Sequence, residues 1–130
     1  MATSEGPTRA LDRRARLERI LERDGAECVW CRRPLEVGLT RATTEHLVPR
    51  VRGGPSWIEN EVAACRRCNG ARGHLGVAAW VEECVGRGLD PNVDVVVRTL
   101  ESLAEAIRLR GGRRRARPQV EAQLRRLRRR

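Results

Sequence analysis

Lysine is absent from this 130-residue chain, and so are phenylalanine and tyrosine. The missing lysine makes every one of the 27 basic side chains an arginine. Each is a planar guanidinium that stays charged and can grip a phosphate through two parallel hydrogen bonds. With aromatics reduced to three tryptophans, the apolar core must be small, as expected of one compact domain this short. A metal staple would compensate for such a core. No apolar run reaches 18 residues, which excludes a helical membrane span. The segment Met1–Thr8 has no apolar stretch of the kind a signal peptide carries, so a cytoplasmic protein with reduced thiols is expected. In that compartment paired Cys-x-x-Cys units favour metal over disulfides.

What is present is unevenly placed. Residues 108–130 hold 11 arginines against one glutamate, whereas residues 1–107 hold 16 arginines against 16 acidic residues. The whole formal excess of +10 therefore sits on the last 23 residues. A polyanion is the natural partner; a solubilising tail is the bland alternative.

Taken in order, residues 1–9 read as a disordered N-terminus, small and polar with Gly6 and Pro7. A helix is expected over 10–23, with Leu11, Leu17, Ile20 and Leu21 as its stripe and Asp24-Gly25 as its stop. A tight turn at Cys28–Cys31 and a connector over 34–39 follow. A β-branched stretch over 40–46 reads as a strand, and residues 47–58 as a loop containing Pro49, Gly53-Gly54 and Pro55. The returning strand is expected over 60–64, and a short helix over 66–72 ends at Gly73. A second helix near 77–87 presents Val77, Trp80, Val81, Cys84 and Val85. Asp90-Pro91 suggests the cap and first turn of a third helix over 92–110, with Val93, Val96, Val97, Leu100, Leu103, Ala104 and Ile107 inward. Pro118 opens a last helix striped by Val120, Leu124 and Leu127, after a basic hinge at 113–117. The apolar faces over 75–110 could serve a core or a homodimer.

Two motifs carry chemistry. Cys28-Val-Trp-Cys31 and Cys65-Arg-Arg-Cys68 share one spacing, and four thiolates suit tetrahedral Zn2+. The 33 residues between them make this a clamp on a long loop, so its binding energy would appear as folding stability. A thioredoxin-like redox pair is disfavoured, because no βαβ pattern surrounds either knuckle. Trp30 is expected to cover the zinc, and Cys84 to be a small buried hydrophobe. The second motif is Glu45-His46 with Asn69. Neutral His46 could take a proton from water. Glu45 and the Asn69 amide oxygen are hard donors that could share a Mg2+ or Mn2+ ion. Neighbours on a strand face opposite ways, an objection that weakens where the strand opens into a loop. Arg50, Arg52, Arg66, Arg67 and Arg72 surround this centre, and Arg113, Arg114 and Arg115 lead the tail. These are the candidate nucleic-acid contacts, against the alternative of a solvated charged face. His74 is a substitute ligand, a phosphate contact or, as favoured, a solvent-facing linker residue, and Trp57 is expected to pack the loop rather than stack on a base.

Residues 28–73 resemble the HNH endonucleases, the ββα-metal nucleases, in the subgroup with a four-cysteine zinc site. The resemblance rests on Cys28-Val-Trp-Cys31, Glu45-His46-Leu-Val-Pro49-Arg50, Gly53-Gly54, Asn60 and Cys65-Arg-Arg-Cys68-Asn69-Gly-Ala-Arg72-Gly73. It implies an α+β fold with a small ββα-metal core over 10–74; the helical extension over 75–112 and the arginine-rich C-terminal helix over 113–130 fall outside the resemblance and are read from their own patterns. It implies that His46 is the general base, Glu45 and Asn69 the ligands of the catalytic metal, and Asn60 the brace of the loop carrying the base. It implies phosphodiester hydrolysis leaving 5′-phosphate and 3′-hydroxyl ends. Double-stranded DNA is the expected substrate; one active centre cuts one strand, so nicking is expected, and few side chains suited to base edges point to weak sequence preference. Glu45 stands where Asp is usual and Arg72 where Lys is common. The competing reading is a non-catalytic zinc-ribbon-like module that only binds nucleic acid.

Overall fold

A computed structural model describes residues 11–35 and 41–130. The expected disordered N-terminus, the first residue of the first helix, most of the connector over 34–39 and Thr40 of the first strand lie outside the described residues.

Helix α1 spans Arg13–Asp24 and starts where Asp12 accepts a hydrogen bond from the Ala15 amide at 2.8 Å. Gly25, at φ 97°, ends it in a conformation L-residues avoid. Strands β1 (Ala42–His46) and β2 (Glu61–Cys65) pair antiparallel, with Ala42 opposite Cys65 and His46 opposite Glu61. Helix α2 (Arg66–Arg72) leaves β2 without a break, because the Cys65 side chain caps it. Every residue of β2 is buried, since α1 and α2 both pack on the hairpin. Alternation sorts the side chains: Thr43 and Glu45 reach α2, whereas His46 and Glu61 turn away from it, with Glu61 meeting α1. The sheet begins its return at Glu61 rather than at Asn60, which belongs to a 3-10 turn, Ile58–Asn60.

Helices α3 (Val77–Gly86), α4 (Val93–Arg110) and α5 (Ala116–Arg128) complete the chain. On α3, Val77, Ala78, Trp80, Val81 and Cys84 are buried, but Val85 is half exposed, one position off the buried stripe. On α4 the buried face is Val95, Val96, Thr99, Leu100, Leu103, Ala106 and Ile107. It is rotated from the expected one, and Ala104 is exposed. The rotation is possible because Thr99 satisfies its hydroxyl on the Val95 carbonyl at 2.7 Å and so can be buried. Asn92, not Asp90-Pro91, caps α4, through its side chain to the Val95 amide. Asp90 instead gives its carbonyl to Arg32 Nε at 2.8 Å. Helix α5 begins two residues ahead of Pro118 and buries Ala116, Val120, Leu124 and Leu127. Its Gln123 accepts from the Ala78 amide at 2.8 Å, satisfying a first-turn donor of α3. One apolar cluster runs from Ile20 of α1 to Leu127 of α5, so the faces over 75–110 are consumed within the chain rather than left for a second copy. Among the described residues no helix is long and apolar enough to cross a membrane.

Candidate active site and metal centre

The first knuckle is a reversed turn: the Arg32 amide donates to the Cys28 carbonyl and the Cys28 amide to the Arg33 carbonyl, both at 2.8 Å. Arg32 closes it at φ 68°, a left-handed conformation that costs a non-glycine residue on the order of 1 kcal/mol. Backbone amides aim at sulfur in both knuckles, Trp30 N–H at Cys28 Sγ (3.4 Å) and Cys68 N–H at Cys65 Sγ (3.5 Å). The four sulfurs of Cys28, Cys31, Cys65 and Cys68 lie within 4.8 Å of one another, Cys31 and Cys65 at 4.0 Å. Sulfurs about 2.3 Å from a tetrahedral zinc sit slightly closer together than that, so the donor set fits such an ion. Burial pushes the Cys28 thiol up to about 11 and raises that of Cys68, while hydrogen bonds from Cys68, Cys28 and Cys31 outweigh burial at Cys65 and lower it. A cluster that resists ionising in isolation is one that a divalent cation would hold as thiolates. Four cysteines positioned to hold a metal ion thus join the two knuckles across the hairpin. Cys84 is fully buried and lies apart from that set.

Trp30 connects the knuckle to the second centre. It is fully buried, edge-on to Trp80 with ring centroids 6.3 Å apart, and its Nε1 donates to Glu45 Oε1 at 2.7 Å. The other Glu45 oxygen accepts from Arg72 at 2.7 Å. Burial pushes the Glu45 carboxyl up, against the pull of Arg72 and Trp30. Arg72 itself is buried, and three more of its donors go to the carbonyls of Leu75, His46 and Leu47. The expectation that Arg72 contacts nucleic acid is therefore corrected: its side chain is 1% exposed, and four of its five N–H donors are engaged inside the protein. It locks the end of β1 to α2.

Asn60 is the second internal lock. Its Oδ1 accepts from the Val48 amide at 2.9 Å, and its Nδ2 donates to the carbonyls of Val48 and Pro55 at 3.0 and 2.9 Å. The loop 47–60 folds tightly on this side chain: a Cβ on Gly54 would stand 1.8 Å from the Val48 oxygen. Asn60 is fully buried, and its side-chain hydrogen bonds all stay within the loop that it braces.

A cleft of about 190 Å³ is lined by Glu45, His46, Arg50, Asn69, Arg72 and His74, with Thr44, Pro49, Val51 and Gly73. Glu45 and His46 both line this cleft, although the Glu45 carboxylate is bound by Trp30 and Arg72 and the His46 Nε2 lies against Ser56. Burial, reinforced by the guanidinium groups of Arg50, Arg16, Arg13 and Arg72, brings His46 down to about 4, so its imidazole is neutral at physiological pH. Asn69 donates its amide nitrogen to Thr43 Oγ1 at 2.9 Å, which turns the amide so that its oxygen is the end available to a cation. His74 is exposed at the cleft's edge. Arg50, Arg52, Arg66, Arg67, Arg113, Arg114 and Arg115 are exposed. Arg113 nonetheless lies 4.8 Å over the Trp57 ring, beside Arg110 at 4.0 Å, and Arg115 donates to the Val51 carbonyl. Trp57, half-buried, packs the loop against these arginines.

Sequence reasoning missed Glu61, Arg16 and Ser56. Glu61 is fully buried, with Oε1 on Arg16 Nε at 2.7 Å and Oε2 at 3.4 Å from His46 Nε2; Ser56 Oγ is 3.0 Å from that nitrogen. The available signal was a charged residue opening an otherwise apolar strand, Glu-Val-Ala-Ala-Cys.

Residues 28–75 match the family model described as HNH endonuclease. Over 63 residues the chain is 32% identical to a protein named CRISPR-associated endonuclease Cas9 from Corynebacterium diphtheriae. That alignment covers 48% of this chain but 6% of the relative, so the likeness is to a small part of a much longer protein. No solved structure matches. Residues 28–75, the stretch that holds both knuckles, Glu45, His46, Asn60 and Asn69, are thus similar to the HNH endonuclease family.

Proposed function

We propose that the chain is a metal-dependent endonuclease that hydrolyses DNA phosphodiester bonds. The observation that carries this reading is the cleft lined by His46, Glu45, Asn69 and Arg50. His46 takes a proton from water; the water oxygen forms a bond to phosphorus; the bond from phosphorus to the 3′ oxygen breaks, and that oxygen leaves with a proton from solvent. Ends bearing 5′-phosphate and 3′-hydroxyl result. Glu45 and Asn69 would hold a Mg2+ or Mn2+ ion, which when bound supplies charge relief to the phosphate and the leaving oxygen. Their oxygens suit such an ion, and each carboxylate oxygen keeps a lone pair beyond those used by Trp30 and Arg72. The fixed charge of Arg72, 2.7 Å from Glu45, would make that binding weak. Asn60 positions the loop, and Cys28, Cys31, Cys65 and Cys68 hold a structural Zn2+. Double-stranded DNA is the proposed substrate; that the relative is named an endonuclease supports cleavage within a nucleic-acid backbone. With few exposed side chains suited to base edges, nicking of weak sequence preference is expected.

The engagement of both Glu45 oxygens favours one second reading, a zinc-stapled module that binds nucleic acid without cutting it. Conversion of supercoiled plasmid to open circle in Mg2+ or Mn2+ decides between them. Wild type should nick and His46→Ala should lose activity by a factor on the order of 100 or more. Equal nicking by the two proteins removes His46 from the role of base; no nicking by wild type supports the binding module.

A further inference from the structure

The buried Glu61 lies outside the motifs that carry the resemblance, yet it stands beside the proposed base. Its Oε1 is held by Arg16 Nε at 2.7 Å, and Arg23 donates to its backbone carbonyl at 2.8 Å. Its Oε2 is sealed from solvent, has no hydrogen-bond partner among the described residues, and faces His46 Nε2 at 3.4 Å across the strand pair. A buried acceptor without a partner is costly, so its persistence asks for a donor. The nearest ring atom of His46 is the one that could supply it.

Ser56 Oγ also lies against Nε2, but a hydroxyl can donate or accept and leaves the ring's tautomer open. A carboxylate beside an arginine only accepts. We propose that Glu61 is a positioning residue for His46: it fixes the proton on Nε2, so that the unprotonated Nδ1 is the atom that receives the proton of water. This rests on the reading of His46 as base. The arrangement parallels the carboxylate that holds a catalytic histidine in its working tautomer in serine proteases, where the amide isostere supports the wrong tautomer and activity collapses. Here α1, which precedes the matched segment, supplies the counter-charge through Arg16 and so takes part in orienting the base.

Two measurements test this. In long-range 1H–15N spectra of histidine-labelled wild type, His46 should carry its proton on Nε2. Glu61→Gln keeps the shape. With its amide oxygen on Arg16, its NH2 would face Nε2 and drive the proton to Nδ1. Nicking kcat should then fall about 100- to 10,000-fold, while DNA affinity stays within about threefold, as nothing that touches substrate is removed. Ser56→Ala should keep the Nε2–H form. An Nδ1–H form in wild type overturns the proposal without any variant, which covers the case of a misfolded Glu61→Gln. So does a Glu61→Gln protein that keeps the Nε2 proton or nicks within threefold of wild type. A tautomer lost only in Ser56→Ala would move the role to Ser56. His46→Ala run beside these separates the two readings. If it nicks, the base assignment fails; if it does not while Glu61→Gln does, only Glu61 is misassigned.

Discussion

The two ends of this molecule are held together by different forces. Between Ala42 and Gly73 the interior carries Thr44, Glu45, Asn60, Glu61 and Arg72, whereas across the three C-terminal helices Thr99 is the only fully buried polar residue among those described. The cysteine and hairpin part is short of apolar side chains and is fixed by directional contacts; the helical part is fixed by interdigitated Val, Leu and Ile. Directional contacts place atoms to a few tenths of an ångström, which a reacting centre needs, at the cost that losing one partner strands another. Aliphatic packing tolerates change better and places nothing so finely. The lesson is one of division of labour: the helices supply bulk stability, and the hairpin uses it to hold buried charge.

The comparison breaks most severely at the sulfurs. Cys68→Ser, or exhaustive chelation, should remove binding energy on the order of 10 kcal/mol and unfold the hairpin. Metal analysis should find one tightly held ion per chain, and circular dichroism should show a collapsed melting temperature after its removal. An unchanged melting temperature in chelator would show that the knuckles stand without metal.

The next test sets one buried charge against one buried aliphatic. Arg72→Ala leaves Glu45 uncompensated and should cost about 3–5 kcal/mol. Leu103→Ala, from the fully buried face of α4, should cost about 3 kcal/mol. Arg72→Lys should recover part of the loss, since a point charge can meet Glu45 but cannot serve three backbone carbonyls as well. Urea unfolding of the three variants measures this, and a smaller cost for Arg72→Ala than for Leu103→Ala would invert the comparison.

The mildest test concerns the surface. Truncation after Gly112 is a poor probe of the arginine-rich end, because it would strip Ala116, Val120, Leu124 and Leu127 from the core. Replacing exposed Arg114, Arg117, Arg125 and Arg129 by Gln changes charge alone and should leave stability within about 0.5 kcal/mol. DNA affinity should drop, and the slope of log affinity against log salt should flatten by about one for each phosphate that no longer meets an arginine. An unchanged slope would assign this face to solvent or to a different partner.

Much of this is legible in the sequence, for identifiable reasons. The knuckles, Gly53-Gly54, Gly73 and the helical stripes are local signals, and they place the hairpin and all five helices to within a few residues. Asn60 reads as a brace only through family resemblance; no local pattern distinguishes it from a turn residue. Arg72 reads as solvent-facing because a charged residue at a helix end normally is. Only its pairing with Glu45, 27 positions away, draws it inward. Glu61 escapes because a charged residue at a strand's first position normally meets solvent; only its pairing with Arg16, 45 positions away, draws it inward. The rotated face of α4 follows from counting Thr99 as polar.

The ties from Arg16 and Arg23 to Glu61 bear on where this nuclease-like unit ends. A cut at residue 28 would leave the Glu61 carboxyl sealed beside the imidazole without its arginine partners, and a cut at residue 75 would remove the helices that cover β2 and the loop. Motif and working part therefore have different borders: whoever grafts this module onto another protein must carry the chain from Asp12 through α5, more than twice the stretch by which it is recognised.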